Sequence, residues 1–290
     1  MKQTTILVAT LALASFGCDS SSESAGGSGG TAGAGGSGGQ GDAVAIEFAA
    51  VVGEDEFVCG DTYDNLGAND TSLVLSDFRF YVQEVEMKNA ADTWVPVELD
   101  DNAFQSNGVA LLDFEDGCGE VGNPELNALV TGSVPEGDYD GLRFKMGVPF
   151  ELNHLNHATA DSPLNVTALF WNWQGGYKFL RIDSGQFSPE DWRMHLGSTG
   201  CEGDPMAGGV TSCANGNRVV VEFDTFDASA NTVVADYAAL VDGAALDEDQ
   251  AADAGCMSKP ADTDCGPLFE NLGLSFESST PGPQQFFSAE

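Results

Sequence analysis

The chain is predicted to be all-β, a β-sandwich or partly closed barrel stapled by disulfides, with a disordered N-terminal tether. Three observations lead there. Short alternating apolar runs are broken by turn residues, no long amphipathic helical pattern competes with them, and of 7 cysteines an even set remains once Cys18 is set aside. At 290 residues, one large all-β domain is the simplest organisation.

Along the chain, the opening MKQTTILVATLALASFGCDS joins Lys2 to a short apolar run from Ile6 to Ala14. This is the pattern of a secretory signal, too short to span a bilayer. Residues 1–18 are therefore read as a signal peptide, and Cys18 stands where a bacterial lipoprotein signal carries its lipidated cysteine. Ser15-Phe16-Gly17 fits a lipobox only loosely, so cleavage without lipidation stays open. Residues 19–42 hold almost no apolar side chain larger than alanine. Such a segment cannot offset the entropy of ordering and reads as a linker with a reach of roughly 25 Å. A single β domain then runs over 43–290. The expected location is the periplasm or cell surface, with the membrane reached through the lipid anchor only.

Within that domain the strand candidates are VAIEFAAVV, LVLSDFRFYVQEVEM, YDGLRFKMGVPF, LNVTALFWNWQ, GYKFLRI and RVVVEFDTF. Helical turns are expected at PELNALV and DYAALVDGAAL. In the fourth candidate, strand alternation would set Leu169, Trp171 and Trp173 on one side. That stretch concentrates large aromatics in a chain with 4 tryptophans.

The 46 acidic against 10 basic residues give a formal charge of -36. Such a charge repels phosphate backbones and anionic headgroups, which excludes nucleic acid as a partner and favours cations or basic protein surfaces. It also serves solubility. Cys59, Cys118, Cys201, Cys213, Cys256 and Cys265 are most economically read as three disulfides, paired in that order, although fifteen connectivities are formally possible. The last two pairs close short loops rich in Gly, Pro and Asp. A thiolate zinc site is the alternative, but paired CxxC spacing is missing.

The scarce groups are His154 and His157, an HxxH pair in loop-like surroundings, and His195. No HExxH, GxSxG, P-loop or GxGxxG is present, and nothing in the spacing requires a triad from Ser198, His195 and an aspartate. The chain is read as a binding protein and not an enzyme. A hydrolase using HxxH lacks a neighbouring glutamate as general base.

The segments LSDFRFYVQEV, LLDFEDGCG, GLRFKMGVPFELNH, PLNVTALFWNWQGGYKFLRID, HLGSTGC and CMSKPADTDCGPLFENLGLSF resemble, in order, the MbnP-like family of exported copper-binding proteins. The resemblance implies a partner, a di-haem enzyme similar to cytochrome c peroxidases, which oxidises a tryptophan of this chain to kynurenine. It implies copper as the bound metal, with His154 and His195 matching the family's ligand histidines; His157 stands where the family more often carries Asp and is an additional candidate ligand. Trp173 or Trp171 matches the modified tryptophan, and Trp173 is preferred because it precedes the Gly175-Gly176 turn and is more reachable. The family's four cysteines match Cys201, Cys213, Cys256 and Cys265. Tyr177 and Trp192 are candidate neighbours or relays, whereas Lys178 and Arg181 read as charge partners for the acidic surface. A disulfide-stapled surface lipoprotein binding calcium through DTDC or GDYDG is the competing reading, although neither has the spacing of a calcium loop.

Overall fold

The computed structural model describes residues 41–118, 122–185, 191–204, 209–247 and 254–290. The expected signal at 1–18, Cys18 and the tether up to residue 40 lie outside the described residues. What is described is β-rich, built on two larger sheets of six and nine strands with no closed barrel.

The Thr71–Asn89 strand organises the larger sheet. It pairs antiparallel with Leu180–Ser184, Tyr139–Met146 and Val109–Asp113, and Arg193–Leu196 continues the sheet beyond Leu180–Ser184. Period-two alternation divides its buried middle into two unlike faces. Phe78, Phe80 and Val82 point one way, and Asp77, Arg79, Tyr81 and Gln83 the other; all are nearly inaccessible.

The apolar face meets the smaller sheet. There Asp42–Val52 lies between Leu129–Val134, antiparallel, and Thr232–Asp236, parallel, with Phe287–Ala289 outside the last. Phe48 of this sheet packs against Phe80 and Phe144 of the other at ring-centroid distances of 6.1 and 5.6 Å. Phe287 does the same at 5.5 and 5.3 Å. The interlocked rings make this a sandwich core, in which edge-to-face aromatic pairs add to area burial.

The three disulfides are Cys59–Cys118, Cys201–Cys213 and Cys256–Cys265, as read from the sequence. DYAALVDGAAL supplies a short helix at Tyr237–Leu240, capped by the Asp236 carboxylate on the Ala238 N–H.

Three expectations need correction. PELNALV forms no helix: Leu129–Val134 is a strand, because Asn127 pairs with Asp113 and carries the chain into the smaller sheet. LNVTALFWNWQ is mostly not a strand, since Thr167–Leu169 is a 3-10 turn and only Phe170–Asn172 is extended. Leu169, Trp171 and Trp173 therefore share no strand face. The loop within Cys201–Cys213 is a hairpin of Thr199–Asp204 and Gly209–Asn215. The Cys265–Asn271 helix was not foreseen.

On the polar face, Arg79 is ion-paired with Asp77 and lies 3.3 Å from Glu115, with all three side chains shut off from water. Removing one member of such a group strands the others in a low-dielectric interior. Arg79→Met is expected to destabilise the domain by about 3–5 kcal/mol in chemical denaturation, the range for breaking a buried pair.

Candidate metal centre

Phe170–Asn172 and Gly176–Tyr177 form a two-stranded ribbon whose turn carries Trp173. The Asn172 side-chain oxygen accepts the N–H groups of Gln174 and Gly175 at 2.9 and 2.8 Å, which closes the turn. Gly176 has φ +77°, and a Cβ there would lie 2.5 Å from Asn153. Glycine thus lets the ribbon approach the one-turn helix Phe150–Asn153. Buried Asn153 accepts the Tyr177 N–H at 2.9 Å and places its amide 3.1 Å from His154 Nε2.

His154 is held by this contact and by the Trp173 carbonyl, 3.3 Å from Nδ1. A carbonyl only accepts, so Nδ1 carries the proton and Nε2 the lone pair that receives the Asn153 amide. Burial pushes the imidazole below the usual histidine range; the Trp173 carbonyl opposes this and the Arg218 charge adds to it. The ring is therefore a neutral donor at neutral pH.

His195 is buried on Arg193–Leu196 and directs Nε2 at Asp183, 2.6 Å away. Nδ1 makes no hydrogen bond with the described residues. Burial lowers its pKa more than Asp183 raises it. Desolvation opposes ionisation of Asp183, but the hydrogen bond from His195 and the Arg181 charge outweigh it and hold the carboxyl below its ordinary range. A carboxylate on one imidazole nitrogen with the other free is the arrangement that orients metal-binding histidines.

Both histidines touch the tryptophan ribbon. Trp171 packs beside His195 at 6.5 Å between ring centroids, and a Cβ at Gly197 would fall 2.5 Å from its indole. Trp173 is 41% exposed and meets Phe170 edge-on at 6.3 Å. His157 stacks on Phe170 at 4.4 Å, and its Nδ1 is buried without a hydrogen-bond partner. The fold thus sets each predicted histidine against the ribbon by a different contact: His154 by the Trp173 backbone, His195 by the Trp171 ring, His157 by Phe170. Tyr177 and Trp192 are core residues, and the Tyr177 hydroxyl donates to the Leu164 carbonyl.

Among the described residues, the clusters of three metal-binding side chains are His154 with Cys201 and Cys213, and Asp116 with Cys59 and Cys118. In both, the sulfurs are joined as disulfides and are not thiolates. Neither DTDC nor GDYDG forms such a cluster.

Beside His195 opens a polar cleft of about 910 Å³ lined by Asp77, Arg79, Lys178, Arg181, Asp183 and Arg193 among others. Sequence reasoning missed Asp77, Arg79 and Asp183, and assigned Lys178 and Arg181 to the surface. Arg181 is instead buried and bridges Asp77 and Asp183, while Lys178 donates to the Ala168 carbonyl. The available signal was DFR and RID, each placing opposite charges two apart in an apolar strand. Antiparallel register sets Asp77 opposite Asp183 and Arg79 opposite Arg181, so attraction runs along each strand and diagonally between Arg181 and Asp77.

Two predictions follow from this packing. Gly197→Ala is expected to displace the Trp171 indole, read as a change in tryptophan near-ultraviolet circular dichroism with the β signal retained. Burial, with the Arg181 charge next, lowers Lys178 from 10.5 to about 8. The unfolded chain then binds the extra proton between these values, so this group makes stability rise with pH across that window. Lys178→Met is expected to flatten that rise in thermal unfolding.

A protein-family model described as MbnP matches residues 41–258. The structure is similar to that of MbnP from Methylosinus trichosporium, with a TM-score of 0.76 and 32% sequence identity over 86% of this chain and 98% of that one. A search of curated proteins gives no match. A family match over three quarters of the chain, joined to a shared fold at this identity, places the chain in the MbnP family.

Proposed function

We propose that the protein is an exported copper-binding protein whose site is completed when a partner di-haem, peroxidase-like enzyme oxidises Trp173 to kynurenine, for copper acquisition or handling. The observation that supports this reading is that His154 and His195 each contact the same tryptophan ribbon, His154 at the Trp173 carbonyl and His195 at the Trp171 ring. Both imidazoles are neutral donors, and His195 is backed by Asp183, which suits copper. His195 would bind through Nδ1; His154 would bind through Nε2 once the Asn153 amide turns away.

Two imidazoles leave copper under-coordinated. Indole adds no donor while its N–H is protonated, whereas kynurenine offers an aniline nitrogen and a ketone oxygen. Cleaving the indole C2–C3 bond is a four-electron oxidation that adds two oxygens, both supplied through the partner's peroxide chemistry; hydrolysis then releases C2 as formate. Exposure of Trp173 suits an external oxidant. The ring it meets, Phe170, has no proton to lose, and behind Phe170 the Tyr177 and Tyr81 hydroxyls donate to backbone carbonyls, which are poor proton acceptors. An oxidising equivalent therefore stays on the turn.

Export is supported by three disulfides, and no described helix is long and apolar enough to cross a membrane. Anchoring through Cys18 is part of the proposal, as is a non-enzymatic role. Chain produced without the partner is expected to bind copper weakly, and co-production should raise affinity sharply. Peptide mass spectrometry should then show a gain of about 4 Da on the peptide holding Trp171 and Trp173, one carbon exchanged for one oxygen. Trp173→Phe should abolish the gain in mass and affinity, while His154→Ala or His195→Ala should lose copper and keep the modification. Loss of the mass gain in Trp171→Phe alone would reassign the tryptophan. Equal copper affinity with and without the partner would overturn the maturation model, and calcium binding indifferent to both histidines would favour a structural lipoprotein.

A further inference from the structure

Cys201 and Cys213 face each other across the hairpin beside the tryptophan turn. His154 Nε2 lies 3.4 Å from the Cys213 sulfur, and donor atoms of the three residues all lie within 4.8 Å of one another. The Trp173 carbonyl holds the imidazole proton on Nδ1, so the lone pair is on Nε2, the nitrogen facing the Cys213 sulfur, and becomes available to a metal when the Asn153 amide that donates to it turns away. While the disulfide stands, neither sulfur is a thiolate and the trio is a poor ligand set.

We propose that reduction of Cys201–Cys213 by a dithiol uncovers a two-thiolate, one-imidazole site for a soft cation, copper(I) first. It shares His154 with the site proposed above but requires neither tryptophan oxidation nor His195. One thiol of the reductant attacks the S–S bond to give a mixed disulfide, and its second thiol displaces the cysteine. The reductant leaves as its own disulfide and both cysteines as thiols. Binding of copper(I) releases the two thiol protons to solvent and leaves two thiolates and a neutral imidazole around one cation. Thiolate and imidazole donors favour copper(I) over harder ions. Antiparallel pairing keeps the two cysteines opposite each other after the bond opens.

The structure also makes this disulfide the one to react. Cys256 and Cys265 are both 0% exposed, so no thiol reaches them without unfolding. Cys59 and Cys118 have the Asp116 carboxylate at the sulfurs, which repels an attacking thiolate and opposes thiolate formation, and no imidazole stands there. Cys201 and Cys213 are partly exposed, and the residues flanking each, Gly200, Glu202, Ser212 and Ala214, are open to solvent.

The test uses the exported protein with its disulfides formed, treated with a dithiol, desalted without oxygen and titrated with copper(I) against a chromophoric chelator. Alkylation mapping is expected to label Cys201 and Cys213 while Cys256 and Cys265 stay protected. The reduced protein should gain one copper(I) per chain with ultraviolet thiolate-to-copper charge transfer that the oxidised protein lacks. Alkylating the two exposed thiols should abolish it without any mutation, so that a misfolded cysteine variant cannot mimic the result. His154→Ala should weaken the site by about tenfold or more, one donor of three being lost. No added copper(I) on reduction, or binding that survives alkylation, would overturn the proposal. Failure of the kynurenine model would appear separately, as unchanged copper affinity of the oxidised protein after co-production with the enzyme.

Discussion

An arginine sealed from water cannot shed its charge and must find that charge answered inside the protein. Arg79 stands in this position at the middle of the longest strand, with Asp77 and Glu115 at its guanidinium and Arg181, one strand over, tied to Asp77 and Asp183. The requirement reaches the candidate site in one further step, because Asp183 is also the acceptor that orients His195. Charge balance, strand register and imidazole orientation are one connected problem. A slip of one residue would turn Asp77 and Arg79 into the aromatic core and Phe78 and Phe80 out of it.

The two site histidines are held by unlike means. His195 is fixed by a carboxylate in a buried ionic group, a rigid setting whose free nitrogen is set by the opposite one. His154 is fixed by a backbone carbonyl and an amide, both weaker, on a partly exposed ring. A ligand atom on the first is preorganised, while the second can change partners. Such an asymmetry suits a site that must accept cargo and also give it up.

Much of the fold was legible because its signals are local. VAIEFAAVV, GLRFKM and RVVVEF alternate and became strands, and the cysteines of two short loops paired as their spacing suggested. Tertiary pairing decided the failures: PELNALV has helical composition, yet Asn127 and Leu129–Val134 find sheet partners. The aromatic run was misread because Asn172 ends its strand through a side-chain turn that periodicity cannot register. At the site, the scarce histidines and tryptophans stood out by composition. Asp77, Arg79 and Asp183 did not, since a charge in a strand of an acidic chain reads as solvent-facing until its neighbours are known.

The parallel pairing of Asp42–Val52 with Thr232–Asp236 joins residues 185 positions apart, Glu47 with Thr232 for example, so the smaller sheet cannot close until most of the chain is available. Folds dominated by such distant contacts gain their native structure slowly, since loop closure comes before the contacts that stabilise it. During that interval thiols are exposed to wrong partners. Cys201 with Cys213 and Cys256 with Cys265, separated by only 12 and 9 positions, need no distant closure to meet. Their early capture would leave Cys59 and Cys118 as the remaining pair, so the order of bond formation would itself select one connectivity from the fifteen that six cysteines allow.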